Sequence, residues 1–473
     1  MRYLTLAHRW MGVVLCLFFA AWFLSGAVLI YHPFPSLSQA DRLSSRAEVD
    51  FSKITVSPIE AAEAIGSIDL DRLRLIDLEG RPIYVLHSLN SGIKVVDAHD
   101  GKPINLLQMR SAGRIAENFS GKSALRVEGP IDYDQWIVPN RYDPYRPFYR
   151  VSMQDQNETV LYVSMRTGEV LQKTEARERA WNYIGAIVHW IYPTVLRSNW
   201  VLWDQVVWWI SLMGVMTTLA GLLLGIIRFR GASGRSPFKG WLCMHHILGL
   251  FAGIIVLTWI FSGWLSMDHG RLFSKPDPEF HQIKNFRALS LEQAVESVSL
   301  EALKLLENFS EVEFIATGGK SFVLARNSKG LKMFKPSKTS ILSPARHTEP
   351  EIIKAVQKAW PDVGIKATQW PKESDFYGQL REGSLPSNTL RVKLDDPAQT
   401  WIHVDMDSGQ IVSIMDKSRR VYRWFYNGLH SLDFPGLANH RPLWDIVILS
   451  LLAIGFGFSV TGVVLGWKRL FNC

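Results

Sequence analysis

The apolar residues of this chain are concentrated in four long windows that are separated by polar sequence. A helix needs about 20 residues to cross a hydrocarbon core of ~30 Å, and each window is long enough. We therefore predict four membrane-spanning helices, over residues 10–31, 202–227, 241–267 and 443–467. Trp and Tyr gather at the ends of these windows, for example at Trp200, Trp264 and Trp467, as is typical of residues at a membrane–water interface.

The two polar segments between the windows each predict a mixed helix and strand structure. One begins with a short amphipathic helix over 58–65 and the other with a similar helix over 291–295. Alternating strands follow, with hairpins over 162–171 and 403–412 that each place a glycine at the turn, where positive φ is needed. After each segment an aromatic amphipathic stretch, ending at His189 or His430, predicts an interfacial helix.

The short loops fix the expected orientation. Residues 228–239 contain three Arg and one Lys and no acid, and the N-terminus and C-terminus also carry basic residues. The positive-inside rule therefore predicts that all three lie in the cytoplasm and that both polar segments lie on the far side.

The first window is longer than the apolar core of a signal peptide, which indicates an uncleaved anchor. Part of the net charge of +8 lies in the basic loop and the termini. The basic residues are not clustered enough to favour nucleic-acid binding.

This topology divides the chain into seven parts. Three of them are the two polar domains, each with its interfacial helix, and the basic loop between the halves. The predicted parts are helix 1 at 1–32, domain 1 at 33–198, helix 2 at 199–228, the loop at 229–240, helix 3 at 241–269, domain 2 at 270–440, and helix 4 with its tail at 441–473.

Two stretches of the first half each recur without a gap in the second half, and the repeat includes three histidine pairs. The first windows match at an offset of 237 positions, through His8, Gly12, Trp22, Ser25, Gly26 and His32 with His245, Gly249, Trp259, Ser262, Gly263 and His269. The second windows match at an offset of 241, through His189, Trp203, Asp204, Gly214, Gly221, Gly225 and Arg228 with His430, Trp444, Asp445, Gly455, Gly462, Gly466 and Arg469. This pattern predicts an internal duplication with pseudo-twofold symmetry about an axis along the membrane normal.

Histidines related by a twofold axis are what a bis-imidazole haem site requires, so the repeat favours a membrane haem protein. His8 and His32 are 24 residues apart, about 36 Å of helix, so they belong to opposite membrane faces. We expect one cluster of His8, His245 and His246 near the cytoplasm. We expect a second cluster near the other face, formed by His32, His269, His189 and His430.

The outer cluster allows two arrangements. One haem can bridge a single symmetric pair, or two related haems can each take one span histidine and one interfacial-helix histidine. We favour a single outer haem, because two spans and two interfacial helices share a small cross-section. The repeated Trp22 and Trp259 are expected to be packing residues, and His87, His347 and His403 to be solvated.

The chain resembles PepSY-domain proteins with PepSY-associated transmembrane helices. The resemblance covers nearly the whole chain, and its most specific parts are His8-x-x-x-Gly12, Ser25-Gly26, Ser262-Gly263 and the hairpins ending in Gly168 and Gly409. It implies four transmembrane helices plus two α+β PepSY-like extracytoplasmic domains. Some members are haem-containing ferrisiderophore reductases, so the resemblance implies b-type haem and reduction of a periplasmic ferric siderophore or other iron chelate at the inner membrane. The two histidine clusters predict two such haems, one near each membrane face.

Other functions remain open at this stage. One is a non-enzymatic binding or regulatory role for the PepSY-like domains, with purely interfacial histidines. Another is a permease for iron chelates, suggested by the internal repeat, although the spans lack buried charges. Since no dinucleotide fingerprint is visible, the electrons of a reductase would come from a membrane quinol or a redox protein. The three cysteines, none of them in the polar segments, exclude disulfides there.

Overall fold

The computed structural model describes residues 1–66, 70–88, 90–231, 235–268, 272–337, 341–372, 374–378 and 384–471. The chain divides into two compact units. The membrane unit comprises Met1–Phe34, Arg177–Phe273 and Arg420–Cys473. The polar unit comprises Pro35–Ala176 and Ser274–Arg419.

The α-helices, in chain order, are α1 Arg2–Tyr31, α2 Gln39–Ser44, α3 Pro58–Ala64, α4 Met109–Ser120, α5 Ala176–Ile184, α6 Ala186–His189, α7 Thr194–Arg197, α8 Trp200–Gly231, α9 Gly240–Ser266, α10 Phe280–Arg287, α11 Leu291–Glu296, α12 Leu300–Lys304, α13 Glu349–Ala359, α14 Lys417–Arg423, α15 Leu429–Ser431 and α16 Leu443–Leu470. Short 3₁₀-helices cover Phe51–Lys53 and Asn140–Tyr145, and a π-helix covers Trp424–Gly428.

The strands, in chain order, are β1 Leu70–Leu78, β2 Arg81–Ser88, β3 Gly92–Asp97, β4 Ala124–Ile131, β5 Phe148–Met153, β6 Val160–Ser164, β7 Val170–Thr174, β8 Glu311–Thr317, β9 Lys320–Asn327, β10 Gly330–Pro336, β11 Leu342–Pro344, β12 Ile365–Gln369, β13 Thr389–Leu394, β14 Trp401–Asp405 and β15 Gln410–Met415. Their antiparallel sheets have the orders β11-β10-β9-β8-β1-β2-β3, β4-β5-β6-β7 and β12-β13-β14-β15.

The four predicted spans are confirmed as α1, α8, α9 and α16, each long and apolar enough to cross a membrane. They pack around an apolar core that includes Leu15, Phe19, Phe23, Trp259 and Ile448. Helix α1 begins eight residues before its apolar window, and α8 and α16 end four and three residues after theirs, because a helix does not end where hydropathy falls; α9 matches its window to within one residue. The protein is therefore a multi-pass membrane protein.

The two predicted interfacial helices are each interrupted before they reach their histidine. In the first half, Gly185 separates α5 from α6, and a Cβ at this glycine would lie 3.1 Å from Cγ1 of Val28. In the second half, the π-helix separates α14 from α15. π-Helical turns are frequent at functional sites. Each interruption comes just before His189 or His430 and lets the chain turn toward the spanning helices.

The polar unit contains two four-stranded meanders of the same strand order, one from each half of the sequence. The predicted hairpins are confirmed as β6–β7 and β14–β15. Gly168 and Gly409 adopt φ of 69° and 67° at their turns, as the glycine pattern predicts. The first meander packs on α4, and the second packs on α13.

The seven-stranded sheet joins the two polar segments. Strand β1 from the first segment pairs with β8 from the second, with Leu73 opposite Phe314 and Ile76 opposite Glu311. One face of this sheet packs on α3 and α11, so one hydrophobic core contains residues from both segments. Each polar segment was expected to form a domain of its own. In the structure the two segments share one sheet, because one strand ladder and one hydrophobic core include residues from both.

A buried ion cluster lies on this sheet. Arg74 in β1 pairs with Glu169 at 2.8 Å and with Glu311 at 3.1 Å, and Arg46 pairs with the same two acids at 2.6 and 2.8 Å. Burial alone would raise the pKa of Glu311, but Arg74 and Arg46 overcome it and lower that pKa to about 2. The pKa of Glu169 is likewise held well below its ordinary range. Both acids are therefore ionised and paired.

Two histidines that the sequence analysis places in solvent are buried instead. His403 accepts a hydrogen bond from Nε of Arg391 at 2.7 Å, and its Nδ1 contacts Oγ of Ser413 at 2.8 Å. Burial and the Arg391 charge lower the pKa of His403 to about 3, so it is neutral. His347 packs against Phe322, and burial lowers its pKa to about 4. The prediction was wrong for His403 because a histidine on an alternating strand faces the core as readily as the solvent, and for His347 because the loop before α13 packs its ring against Phe322.

Candidate functional site: paired histidines in the membrane unit

The first histidine pair is His8 on α1 and His245 on α9. Their ring centroids lie 6.4 Å apart, with the planes tilted by 38°. The two positions are equivalent in the sequence repeat, and the structure brings them face to face. His245 also stacks on Phe458 of α16, with ring centroids 4.8 Å apart.

The second histidine pair is His189, at the end of α6, and His430, in α15. Their ring centroids lie 6.0 Å apart at an interplanar angle of 65°. Each ring packs against one spanning helix of its own half of the sequence. His189 contacts Ser25 of α1, and His430 contacts Ser262 of α9.

The hydrogen bonds of the second pair fix which ring nitrogen carries the proton. Nδ1 of His189 lies 3.2 Å from the Trp22 carbonyl, which can only accept, and 3.1 Å from Oγ of Ser25. Oγ of Ser262 lies 3.0 Å from both the Trp259 carbonyl and Nδ1 of His430, and a hydroxyl that donates to the carbonyl accepts Nδ1–H of the ring. Both histidines thus carry the proton on Nδ1 and keep a lone pair on Nε2.

In the first pair, Nδ1 of each histidine is also hydrogen-bonded to the protein, but through different partners. Nδ1 of His8 lies 3.0 Å from the Thr217 carbonyl, which can only accept. Nδ1 of His245 lies 2.8 Å from Oγ1 of Thr461, and that hydroxyl donates its own proton to the Phe458 carbonyl at 2.6 Å. Within the described parts of the chain, Nε2 of these four histidines has no hydrogen-bond partner. A metal-binding imidazole is typically held in this way through its other nitrogen.

The remaining predicted histidines are placed differently. His246 lies beside His245, yet its Nε2 is 3.0 Å from the Gly225 carbonyl and its Nδ1 is 2.9 Å from Oγ of Ser236. Because a carbonyl only accepts, Nε2 of His246 carries a proton and offers no lone pair. His32 stacks on Trp181 with centroids 4.7 Å apart. His269 lies outside the described residues.

Glycines make room for three of the four paired rings. A Cβ at Gly221 would lie 2.6 Å from Cε1 of His8, one at Gly26 would lie 3.2 Å from Cε1 of His189, and one at Gly263 would lie 3.4 Å from Cε1 of His430. These glycines are repeated between the halves because the imidazoles press against the helix backbone there. Gly12, which is also repeated, has no such neighbour within 4 Å.

Tryptophans hold the turns that carry the second pair. Nε1 of Trp203 donates to the carbonyl of Trp190, and Nε1 of Trp444 donates to the carbonyl of Ser431, both at 3.0 Å. Each acceptor directly follows a histidine of the second pair. Trp259, expected to be a packing residue, also donates to the His430 carbonyl at 2.7 Å. The repeated Trp-Asp dipeptide was the sequence signal for this role, although its tryptophans were expected only to lie at the membrane–water interface.

The two pairs lie at different depths in the membrane unit. Along α1, His8 is separated from Ser25 by 17 residues, which corresponds to about 25 Å of helix. The apolar core around Phe19 and Phe23 fills the region between them. The second pair lies at the level of Ser25, about 10 Å below His32 along the same helix, so it is deeper than the surface position expected from sequence.

Paired imidazoles with free lone pairs suit one kind of group in particular. The described residues contain no group of three or more His, Cys, Asp or Glu side chains arranged to hold a bare metal ion. Two facing imidazoles instead provide the two axial ligands of an iron already held by a macrocycle. Each pair fits this requirement, since both nitrogen lone pairs are available and the surroundings are apolar.

The fold and this site define a four-span membrane protein with two layers of paired histidines and a strand-rich polar unit. The chain belongs to the family described as PepSY-associated TM region, whose model matches residues 5–469. No curated protein matches the chain.

Proposed function

We propose that this protein is a haem b protein of the bacterial inner membrane that moves electrons across the membrane to reduce a periplasmic ferric chelate, in iron acquisition from ferric siderophores. The observation that carries the proposal is the arrangement of four histidines in two facing pairs, each ring held by the protein through Nδ1. His8, His245, His189 and His430 each donate Nδ1–H to the protein and leave Nε2 free. Nothing in a purely interfacial role requires four such arrangements in two facing pairs.

In this proposal His8 and His245 hold one haem, and His189 and His430 hold the other. Bound haem would supply one-electron redox chemistry at each of the two histidine pairs. Ser25 and Ser262 orient the second pair. The apolar core between the two histidine pairs excludes water from the imidazoles that would hold the iron.

The expected orientation gives this route a direction. The basic loop between α8 and α9 favours a cytoplasmic location for both termini, so the first pair would lie nearer the cytoplasm and the second pair nearer the periplasm. The equivalent contacts of Ser25 with His189 and of Ser262 with His430 support an origin by internal duplication. The polar unit, built from PepSY-like halves, would then be periplasmic.

The reaction that fits this arrangement transfers one electron to each ferric chelate. A membrane quinol or a redox protein gives up the electron, and Fe(III) in the chelate becomes Fe(II). Hard oxygen ligands hold Fe(II) less tightly than Fe(III), so reduction promotes release of the iron.

The proposal predicts that a ferric chelate reoxidises the reduced protein. The purified protein is reduced with stoichiometric dithionite, mixed with a ferric hydroxamate siderophore, and followed by its absorption bands. We expect the bands to return to the oxidised form while Fe(II) is trapped by a ferrous-specific chelator. The gallium complex of the same siderophore is the matched control, since Ga(III) is not reduced. Equal behaviour with the iron and gallium complexes would instead favour a binding module or a permease.

The serine contacts give a second prediction. Ser262→Ala removes the acceptor of Nδ1–H of His430, so we expect affinity for the haem of the second pair to fall about 10–100-fold. Ser266→Ala is the control, because its hydroxyl lies one turn further along α9 and donates to the Gly263 carbonyl rather than to His189 or His430. Haem transfer to apomyoglobin measures both variants. Equal rates for the two variants would show that Ser262 does not position the ligand.

A further inference from the structure

A cavity of about 480 Å³ lies at the N-terminal end of α1, beside the C-terminal end of α8. It is lined by Met1, Arg2, Thr5, Leu6, Arg9 and Arg228. Three of these six residues are arginines, and none is acidic. The cavity belongs wholly to the membrane unit and lies on the side of His8 away from the second pair.

The three arginines lack ion-pair partners within the described parts of the chain. This sets Arg2, Arg9 and Arg228 apart from Arg74 of the polar unit, which contacts two glutamates. The positive-inside rule accounts for basic residues at this end of the helices. It does not account for their convergence from two helices on one cavity, where like charges repel. A guanidinium fork suits phosphate oxygens, which would offset this repulsion.

An exposed apolar stripe runs from the cavity along α1. It begins at Leu6, which lines the cavity, and continues through Trp10, Val14 and Leu17, the last two each 65% exposed. The spacings of four, four and three residues place these side chains on one helix face. A ligand with an anionic head and a long apolar tail therefore has contacts for both parts, whereas free phosphate would use only the arginines.

The other half of the repeat lacks this cluster. The positions equivalent to Arg2, Arg9 and Arg228 are Lys239, His246 and Arg469. His246 is occupied by its bonds to Gly225 and Ser236. The arginine cluster thus occurs once per chain although the helices are repeated.

We propose that this cavity binds the phosphate of one anionic phospholipid from the adjacent membrane leaflet, with an acyl chain along the Leu6–Leu17 stripe. The site is separate from the histidine pairs and does not depend on the proposed function. It is a specific lipid site, so it should select a headgroup and be saturated by a single lipid.

Native mass spectrometry of the detergent-solubilised full chain tests this proposal. Delipidated protein is titrated with phosphatidylglycerol and with phosphatidylcholine of the same acyl chains. We expect one phosphatidylglycerol to bind in preference. Each arginine near a membrane surface contributes about a fivefold change in affinity, so Arg9→Gln with Arg228→Gln should weaken binding about 25-fold. Arg235→Gln is the matched control, because it removes a charge from the same basic loop outside the cavity lining, and it should change binding less than twofold.

Three results would overturn the proposal. They are equal binding of the two lipids, equal loss in the Arg235→Gln control, and competition by millimolar glycerol 3-phosphate as strong as that by the lipid. If the double variant does not insert into the membrane, Arg2→Gln and Arg9→Gln as single variants carry the test, with about a fivefold loss expected for each.

Discussion

Replacing His189 or His430 by alanine is expected to leave the protein with one haem instead of two. Their rings face each other at 6.0 Å, and each keeps Nε2 free. Removal of one axial ligand from such a pair leaves a five-coordinate iron that detergent washing should strip. His8→Ala and His245→Ala should have the same effect on the other haem. The measurement is haem per protein, by the pyridine haemochrome assay, on each purified variant.

His246 and His32 supply the controls for these variants. His246 binds the Gly225 carbonyl through Nε2, and His32 stacks on Trp181. His246→Ala and His32→Ala should therefore retain both haems. Loss of a haem in either control would show that the axial pairs are assigned wrongly. Retention of both haems in all four paired-histidine variants would contradict the haem sites altogether.

Glu169→Gln should destabilise the polar unit by about 3–5 kcal/mol, because it leaves Arg74 and Arg46 with one partner fewer in a buried site. Arg74 and Glu169 are each about 1% exposed. Asp100→Asn is the control, since it breaks an exposed pair with Lys102, and we expect no measurable change. The free energy of unfolding, from urea titration of the full chain in detergent, measures both. A change below about 1 kcal/mol for Glu169→Gln would show that the cluster does not stabilise the fold.

The cluster of Arg46 and Arg74 with Glu169 and Glu311 makes the stability of the polar unit depend on pH. The pKa of Glu311 lies at about 2, below the ordinary value of 4.5. A lowered folded-state pKa contributes stability that is present above the unfolded pKa and is lost as the pH falls through the folded one. Stability of the polar unit should therefore decrease as the pH falls from about 4.5 to about 2, and this decrease should be smaller in Glu169→Gln, because that variant lacks the second acid whose pKa the cluster lowers.

The spans and hairpins were predictable because their signals are local. Apolar length identifies α1, α8, α9 and α16, and a glycine with positive φ marks each hairpin turn. The pairing of β1 with β8 was not predictable, because no local signal links strands so far apart in sequence. The buried cluster of Arg74 with Glu169 and Glu311 was also missed, because its members are far apart in sequence. In addition, charged residues in a strand-rich segment usually indicate a solvated face.

The candidate site was predicted in part. The repeat identifies the histidines, but it leaves open which of the outer ones pair. His245 and His246 are adjacent, so sequence alone does not separate them, and only the Thr461 and Gly225 contacts do. The depth of the second pair follows from the interruptions at Gly185 and at the π-helix, which amphipathic periodicity does not reveal.

The absorption spectrum of the purified wild-type protein, before and after dithionite, tests the central claim most directly. The described residues offer two facing pairs of imidazoles, so we predict two b-type haems per chain with low-spin, six-coordinate spectra in both oxidation states. A preparation from haem-sufficient cells that is colourless, or whose haem is high-spin, would contradict the assignment of the two histidine pairs as haem ligands.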